Sequence, residues 1–446
     1  MSTTDSPVTA SEAAVPTAAP CPQCGAPLSV SERFPTWCPA CEWNLVPEQP
    51  AVQYRTARAR RRAERDERRE EGRRRAVRAR AEKVFRLVAA EGPDRRSAPP
   101  VVAFALAGLV HLVSLTVLLL GVSLTAGLIG GSWFQRALGV LALAVAVLVR
   151  PRLGRPARDE VLSREAAPAL YGLVDRVSEA LGAPRVDSIA VNGRFNASFG
   201  VVGLRRRREL QIGLPLWEML TRQQWVALLA HEIGHCVNGD SRRGLWTGSA
   251  VASLREWERL TRPSPDNDSG RMLIVMAAFV ANVLLRVVNR GVRALAGLMF
   301  RLHLRSGQAA EYRADGLAAR LASVPDARGL LVALLNGRTV EAVLVRRRAL
   351  PRRRSGGRPD DSGLWEALAE AVRTVPASET ARRVRASERE LSSVDESHPP
   401  TYLRLRMLDT APPPVDRPPL VLDAGQAAAI GAELAASRER VARELL

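Results

Sequence analysis

The chain has 446 residues, of which 46% are hydrophobic and 4% aromatic, and a formal net charge of +19 at pH 7. This length allows two or three domains with enough apolar sequence for a core, and the charge suggests an anionic partner, either phospholipid headgroups or nucleic acid. Four of the five cysteines form two Cys-x-x-Cys pairs, which is not the usage of a secreted protein stapled by disulfides.

Residues 1–46 divide into a polar start and a cysteine-rich segment. Residues 1–20 have no apolar core, which predicts a disordered terminus without a cleavable signal peptide. Residues 21–46 predict a zinc ribbon, because two tight Cys-x-x-Cys turns can present four thiolates to one tetrahedral Zn²⁺ and leave no position open for water. Redox-active or unligated thiols are the alternative. The predicted ligands of this structural zinc are Cys21, Cys24, Cys38 and Cys41.

Residues 53–97 are dominated by Arg, Glu and Ala. High helix propensity and pairs such as Glu64 with Arg68 predict an exposed, Arg-rich helical linker. The same helix could instead lie on the anionic headgroups of a lipid bilayer, or bind nucleic acid. No aromatic side chain is interleaved with the arginines of residues 75–80, so nucleic acid is the least favoured of these partners.

Two apolar runs within residues 101–150 predict a transmembrane helical hairpin. The first run, about 101–121, is long enough to cross a hydrocarbon core, and the second, about 133–149, is shorter. Arg-rich sequence precedes the first run and follows the second, so the positive-inside rule places both flanks in the cytoplasm of a multi-pass plasma-membrane protein. A buried hairpin in a soluble core is the alternative.

Residues 163–410 predict one folded domain, which begins with a helix and continues with strands. Short strand-like runs are expected at 188–191, 195–202 and 210–212. The second run could form an exposed edge strand, and such a strand can bind an extended peptide through backbone pairing. An ordinary edge strand that binds no substrate is the alternative.

His231 and His235 stand four residues apart in a segment that predicts a helix. Thr221 and Gln224 form a capping box at its start, and Asn238-Gly239 provides a left-handed stop at its end. Residues four apart lie on one face of a helix, so both imidazoles can bind a single Zn²⁺.

Glu232 lies next to the first histidine, roughly 100° round the helix. From there its carboxylate can take a proton from a water whose pKa the metal has lowered toward ~7. Such a site needs a third protein ligand, and Glu311 is the best candidate. The sequence therefore predicts a zinc metallopeptidase, and a pair of solvated or core histidines is the alternative.

Four segments carry a longer pattern: Asn196-Ala197-Ser198-Phe199-Gly200, then His231-Glu232-Ile233-Gly234-His235-Cys236-Val237-Asn238-Gly239-Asp240, then Glu311-Tyr312-Arg313-Ala314-Asp315, and last Ser397-His398-Pro399-Pro400 with Arg404. Together they resemble the HtpX and CAAX-protease family of membrane-associated gluzincin metallopeptidases, over roughly residues 164–408. The resemblance implies that His231, His235 and Glu311 bind the catalytic zinc and that Glu232 is the catalytic base.

The same resemblance assigns roles to residues around these ligands. Asp315 and Asp240 would orient the ligands from behind, and His398 and Arg404 would stabilise the oxyanion or orient the substrate. Residues 196–200 would form the edge strand that binds substrate. The implied substrates are polypeptides, namely misfolded membrane proteins or their cytosolic ends.

The expected fold is α+β and mostly helical, with a zincin-type metallopeptidase domain that contains a small antiparallel sheet, preceded by a transmembrane hairpin and a zinc ribbon. Residues 271–300 predict amphipathic or membrane-associated helices, and Ser306-Gly307 could start the helix that carries the third ligand. Residues 411–446 predict a Pro-rich linker and a C-terminal helix. Two other functions stay open: a non-catalytic membrane scaffold that keeps zinc for stability, and a protein that binds its partners through the ribbon.

Overall fold

The computed structural model shows a mostly helical chain with two small sheets, which confirms the α+β class. It describes residues 19–47, 56–92, 101–151, 157, 160–203, 205–237, 240–262, 272–349, 363–389, 398–410 and 419–446.

The cysteine-rich segment folds around a two-stranded antiparallel sheet. Strand β1 (Ala19–Pro20) pairs with β2 (Pro27–Leu28), and the first Cys-x-x-Cys turn lies between them. Residues 19 and 20 therefore belong to the folded segment and not to a disordered start, while residues 1–18 lie outside the described part of the chain.

The Arg-rich linker is a single helix, α1 (Ala57–Glu91), capped by the Thr56 hydroxyl, which accepts a hydrogen bond from the backbone N–H of Ala59 at 3.1 Å. Its ion pairs are exposed, and pairs of that kind contribute only about 0.3–0.5 kcal/mol each. Near its end, however, Ala81 and Phe85 are buried, and burial of one such aromatic ring contributes about 2 kcal/mol. The apolar end therefore fixes where α1 lies.

The predicted hairpin forms as helices α2 (Val101–Thr125) and α3 (Trp133–Val149). They approach closely at Gly139, where an added Cβ would lie 2.5 Å from the backbone nitrogen of Thr125. Within the described residues, α2 is the one helix that is long and apolar enough to cross a membrane, and α3 is shorter at 17 residues.

The remaining chain forms one domain against which this hairpin packs. Its elements are β3 (Val161–Leu162), α4 (Pro168–Ala180), β4 (Ser188–Asn192), β5 (Ala197–Val202), β6 (Arg207–Gly213), α5 (Leu214–Trp217), α6 (Arg222–Val237), α7 (Asp240–Leu260), α8 (Met272–Leu321), α9 (Val324–Ala333), a 3₁₀ turn (Leu334–Asn336), α10 (Gly337–Ala349), α11 (Leu364–Arg373), α12 (Ala377–Arg389), α13 (Thr401–Thr410), α14 (Ala424–Glu433) and α15 (Ala435–Leu445).

The four-stranded sheet has the order β3-β4-β6-β5. Strands β4 and β6 run parallel, while the other two pairings are antiparallel. The sheet is therefore mixed, and the expectation of a purely antiparallel sheet is wrong in this one pairing. Strand β5 pairs with β6 alone among the described strands, so its other side is a free edge, as the sequence predicts.

Helix α6 runs through the centre of the domain. All of its residues from Trp225 to Gly234 are buried, and the Trp225 ring stacks on Trp217 with centroids 4.6 Å apart. Gly234 allows α8 to come close, because an added Cβ would lie 3.1 Å from the Leu317 side chain. The close approach of α6 and α8 is what brings distant parts of the sequence to one site.

Helix α8 corrects one expectation. It is one continuous helix of 50 residues, so no new helix starts at Ser306-Gly307. Arginines at 286, 290 and 293 do not interrupt it, since arginine is a good helix former and these side chains point away from the core. Met299 packs with α2 and α7 in a small apolar cluster.

Polar contacts also join the hairpin to α7. The His111 ring nitrogen Nε2 lies 3.1 Å from the carbonyl oxygen of Trp246 and 3.3 Å from the Ser249 hydroxyl. The Trp257 indole N–H donates to the carbonyl of Val149 at 3.3 Å. Because α7 follows α6 directly, the hairpin is anchored close to the histidine pair.

The C-terminal segment forms two helices, not one, and both belong to the main core. Ile430, Leu434 and Val441 are fully buried there. The Glu433 carboxylate accepts hydrogen bonds from two backbone N–H groups at the start of α4, at 2.6 and 2.9 Å. Residues 419–446 are therefore part of the domain, while the Pro-rich residues 411–418 lie outside the described chain.

Candidate active site

Helix α6 presents the two histidines, and its start has the predicted capping box. The backbone N–H of Gln224 donates to the Thr221 hydroxyl at 3.3 Å, and that of Thr221 donates to the Gln224 side chain at 3.0 Å. His231 and His235 lie one turn apart with ring centroids separated by 5.0 Å. The predicted stop at residues 238–239 lies outside the described chain, but α6 ends at Val237.

Glu311 enters the same space from α8. Its two carboxylate oxygens lie 3.5 Å from Nε2 of His231 and 3.4 Å from Nε2 of His235. One ligand atom from each of the three residues fits within 4.8 Å of the others, which is a separation that a single metal ion can bridge. We call this group the histidine–glutamate centre.

The donor set fits a divalent cation. Glu311 Oε2 is buried and lies 2.7 Å from His398 Nδ1, yet the two atoms are not aligned for a hydrogen bond and neither has such a bond elsewhere among the described residues. A buried carboxylate oxygen with no hydrogen-bond partner is costly unless something else satisfies it. Two imidazoles and a carboxylate are the ligands that zinc takes in catalytic sites.

Asp315 and Arg404 lie behind the ligands. The Asp315 carboxylate is 3.0 Å from Nδ1 of His231, on the side of the ring that faces away from Glu311. Arg404, on α13, donates two hydrogen bonds to Asp315 at 2.8 and 2.7 Å. Asp315 thus fixes the orientation of the His231 ring, and Arg404 fixes Asp315.

The charges of this cluster shift its ionisation. Burial lowers the pKa of His231, but the carboxylates of Asp315 and Glu311 outweigh it and raise that pKa to about 10. Burial raises the pKa of Glu311, but neighbouring histidines, first His398, bring it well below its ordinary value. Burial raises the pKa of Asp315 too, but the Arg404 guanidinium outweighs it and lowers that pKa. Both carboxylates are therefore ionised, and a cation at the centre would compete with the proton on His231.

Glu232 and strand β5 flank the centre. Glu232 is buried on α6 directly after His231, and β5 packs against the same helix. The predicted substrate strand, residues 196–200, coincides with the start of β5, and the carbonyl of Asn196 accepts from the N–H of Gly213 at 2.9 Å. Asp240 is the first residue of α7, but its side chain lies outside the described part.

The four cysteines converge as predicted. Cys21 Sγ lies 3.6 Å from Cys41 Sγ, and Cys24 Sγ lies 3.6 Å from Cys38 Sγ. All four sulfurs lie within 4.8 Å of one another, so they could hold one metal ion. This four-cysteine cluster is closed, since its four ligands complete a tetrahedron.

Two contacts of the folded ribbon segment are absent from the sequence reasoning. The Trp37 indole N–H donates to the carbonyl of Ser378 at 3.0 Å, and Arg382 donates to the carbonyl of Leu45 at 2.7 Å. The segment is therefore docked on α12 and does not hang from a linker. The sequence carries a signal for such a surface in Trp37 and Trp43, two large aromatic side chains in a short polar segment.

The predicted residues His231, His235 and Glu311 lie together, whereas Arg404 contacts Asp315 instead of the face predicted for the oxyanion or the substrate. Arg404 is 4% exposed and directs its guanidinium at Asp315, while His398, more exposed, reaches Glu311. A histidine pair on one helix, a glutamate from a second helix and a small sheet with a free edge together define a zincin-type metallopeptidase domain.

The family of that domain follows from the sequence match. Residues 169–411, a little over half of the chain, match peptidase family M48, and the chain belongs to that family. No curated protein matches the chain at a significant level. The ribbon segment, α1, the α2–α3 hairpin and the last two helices lie outside the matched residues.

Proposed function

We propose that this protein is a membrane-anchored, HtpX-like zinc endopeptidase that hydrolyses peptide bonds at the histidine–glutamate centre. One observation supports this most strongly: the ligand atoms of His231, His235 and Glu311 lie within 4.8 Å of one another, with Glu232 next in the chain to the first of them. A pair of solvated or core histidines would need neither a buried glutamate between the rings nor a second carboxylate behind them.

In this proposal His231 and His235 hold zinc through Nε2, and Glu311 holds it through its carboxylate. When bound, zinc polarises the scissile carbonyl and lowers the pKa of a water toward ~7. Hydrogen bonding of Asp315 to Nδ1 of His231 leaves Nε2 free to be a ligand and makes it a stronger one.

Glu232 acts as the catalytic base. Its carboxylate takes the proton from the attacking water and later passes it to the leaving amine. Its buried position on α6 keeps the carboxylate away from bulk water, which strengthens its interactions with charges at the centre.

His398 and Arg404 take different parts in this scheme. His398 is 35% exposed at its side chain and next to Glu311, so it can reach a substrate and donate to the oxyanion. Arg404 is buried behind Asp315, and we assign it to holding that carboxylate, not to contacting substrate.

The free edge of β5 is the proposed substrate strand. An extended peptide can pair with the backbone of residues 197–202 beside the histidine helix, and recognition through the backbone tolerates many sequences. This agrees with substrates that expose extended segments, such as misfolded membrane proteins or their cytosolic ends.

The α2–α3 hairpin is the proposed anchor. The apolarity of α2 supports a span, and the arginines before α2 and after α3 favour a cytoplasmic location for both flanks. The exposed first half of α1 carries more arginines than acids, so we assign to it the anionic headgroups of the same bilayer rather than nucleic acid.

The four-cysteine cluster holds a second, structural zinc.

Cleavage of an unfolded test protein by the detergent-solubilised chain checks the central assignment. Wild type is compared with Glu232→Gln and with Glu366→Gln, a matched change of an exposed glutamate on α11. Zinc content is measured in all three samples. We expect Glu232→Gln to keep its zinc and lose about 10³-fold in kcat, while Glu366→Gln cleaves like wild type.

Two results would overturn the proposal. Equal cleavage by wild type and Glu232→Gln would remove Glu232 as the base and indicate a contaminating protease. Zinc bound at the centre without cleavage of any unfolded protein would favour the scaffold function instead.

A further inference from the structure

The apolar end of α1 packs directly behind the helices that carry Glu311 and Arg404. Phe85 meets Tyr312 of α8 edge to face, with ring centroids 6.1 Å apart. Leu403 and Met407 of α13 complete the same buried cluster. Glu311 precedes Tyr312 in the chain, and Arg404 follows Leu403, so α1 contacts the immediate neighbours of two residues of the centre.

Helix geometry explains how α1 can touch these helices without entering the site. Adjacent residues of a helix point about 100° apart. On α8, Glu311 and Asp315 share the face toward His231, and Tyr312 points to α1. On α13, Arg404 points to Asp315 while Leu403 points to α1. Helix α1 therefore fills the groove on the outer side of α8 and α13.

Polar contacts fix the position of α1 along this groove. Arg78 donates to Glu388 at the end of α12 at 3.3 Å, and the Tyr402 hydroxyl lies 3.5 Å from the Glu82 carboxylate. The Arg406 guanidinium stacks over the Phe85 ring at 5.1 Å from its centroid. The two polar contacts therefore fix α1 just before Phe85, Arg406 covers the Phe85 ring, and Phe85 is the largest side chain that α1 gives to the cluster.

We propose that Phe85 is a positioning residue for the metal centre: by filling the groove behind Tyr312 and Leu403 it sets the separation of α8 and α13, and so the placement of Glu311 and of the Arg404–Asp315 pair. The inference rests on the proposed function in that it takes this centre to bind zinc. It also makes α1, which lies outside the residues matched to family M48, a working part of the peptidase.

The centre is sensitive to this separation for a geometric reason. The Arg404–Asp315 contact joins α13 to α8, and Asp315 in turn orients the His231 ring. If α13 moves away from α8, Asp315 loses its cation and the ring loses its orienting carboxylate. A misplacement of about 1 Å at a catalytic group costs about 100-fold in rate, and loss of an outer partner of a metal ligand costs about 10–100-fold in metal affinity or activity.

The test compares Phe85→Ala with two other variants of α1. Phe85→Leu keeps apolar bulk at the same position. Leu87→Ala is the matched control, because Leu87 is 53% exposed on the opposite face of the helix. Zinc affinity is measured by chelator competition, kcat and KM by cleavage of the unfolded test protein, and amide hydrogen exchange over residues 306–316 and 401–410.

We expect Phe85→Ala to bind zinc about tenfold more weakly and to lose about tenfold in kcat with little change in KM. Exchange should rise in both segments. Phe85→Leu should recover zinc affinity to within about threefold of wild type, and Leu87→Ala should match wild type in every readout. A purely structural role would lower thermal stability without this split between kcat and KM.

Folded Phe85→Ala with unchanged zinc affinity and unchanged exchange would overturn the inference. Should Phe85→Ala fail to fold, Val88→Ala removes a smaller side chain from the same face of α1. Its zinc affinity and hydrogen exchange are then compared with those of wild type, and unchanged values would overturn the inference. Failure of the proposed function looks different: wild type would bind zinc and cleave nothing, while zinc affinity and exchange would still respond to Phe85.

Discussion

The four-cysteine cluster and the histidine–glutamate centre bring metal-ligand side chains together in opposite ways. The cysteines come from two short turns of one small segment, and Gly25, with φ of 74°, allows the first turn. The histidine–glutamate centre takes its side chains from the helices α6 and α8, and the charged pair Arg404–Asp315 lies behind them. A closed site made by local turns supports structure, whereas an open site made by distant helices can place a base and a substrate strand beside the metal.

The two regions also differ in how they are held. The ribbon segment is docked on α12 through surface contacts, namely the apolar packing of Trp37 and Leu45 and the ion pairs of Glu42 with Arg385 and Arg389. The histidine–glutamate centre is held by the main core on one side and by α1 on the other. Loss of a ligand should therefore have a local effect in the first region and abolish the chemistry in the second.

The largest expected effect is that of Glu311→Gln. The amide keeps the shape of the side chain but removes the charge that a Zn²⁺ ligand supplies. We expect cleavage to fall at least about 10³-fold, with loss of one zinc per chain and retention of the zinc in the ribbon. Metal analysis together with a cleavage assay checks this, and full activity in a folded Glu311→Gln would exclude Glu311 as a ligand.

The sequence alone predicts those parts of the centre whose residues are close together in the chain, and fails for parts whose residues are far apart. The spacing of His231 and His235 and the two Cys-x-x-Cys turns are local, so their geometry follows from the helix and the turn. Glu311 is far from the histidines in the chain, so its prediction as a ligand depended on a second motif, residues 311–315. The pairing of Arg404 with Asp315 was not foreseen, because nothing local indicates that α13 crosses behind α8.

Two further features of the fold were not predicted, and only one of them lacks a local signal. The continuity of α8 through Ser306-Gly307 depends on packing against α6 and α7, which overrides the weak helix propensity of glycine. The docking of α1 had a signal in the sequence: Ala81, Phe85 and Val88 recur at helical spacing within an otherwise charged helix. That short apolar stripe predicts burial of one end.

Arg404→Met should have the next largest effect. It leaves the buried Asp315 carboxylate without its cation, and loss of one partner of a buried ion pair costs about 3 kcal/mol or more. Thermal unfolding in detergent measures the loss. Arg328→Met, which breaks the exposed pair with Asp409 between α9 and α13, is the control and should cost less than about 1 kcal/mol. Equal losses in both variants would contradict the account.

A smaller effect on catalysis is expected from the double change Cys21→Ser and Cys24→Ser. It removes two ligands of the four-cysteine cluster, so one zinc should be lost and the ribbon should unfold locally. Cleavage should stay within about tenfold of wild type, because the ribbon contacts described in the structure go to α12 and the turn before it, away from the ligand helices α6 and α8. Glu32→Gln, between the cysteine pairs, serves as the control. A fall as large as that of Glu311→Gln would mean that the two regions are not separate.

The smallest expected effect is on stability and its pH dependence, and it concerns Glu379 on α12. Glu379 pairs with Arg382, which also donates to the carbonyl of Leu45 in the ribbon segment. Burial raises the pKa of Glu379, but Arg382 and Arg383 outweigh it and lower that pKa below its ordinary value of 4.5. A carboxyl group whose pKa is lowered by folding stabilises the fold above pH 4.5, and this contribution is lost as the pH falls below that value. At pH 7, Glu379→Gln should therefore be less stable than wild type.

Thermal unfolding at several pH values between 7 and 3 checks this dependence. The difference between wild type and Glu379→Gln should shrink as the pH is lowered, whereas Glu366→Gln, on the exposed side of α11, should follow wild type throughout. A difference that stays constant over this range would exclude the ionised form of Glu379 as the source of the stability.

The most direct test of the account is removal of the metals one at a time from the wild-type chain. We expect two zinc ions per chain, one for each group of ligands. Brief treatment with a chelator should remove the ion of the open histidine–glutamate centre first and abolish cleavage, and one equivalent of zinc should restore it. Cleavage that survives loss of that ion, or that disappears only when the ion of the four-cysteine cluster is removed, would contradict the central claim.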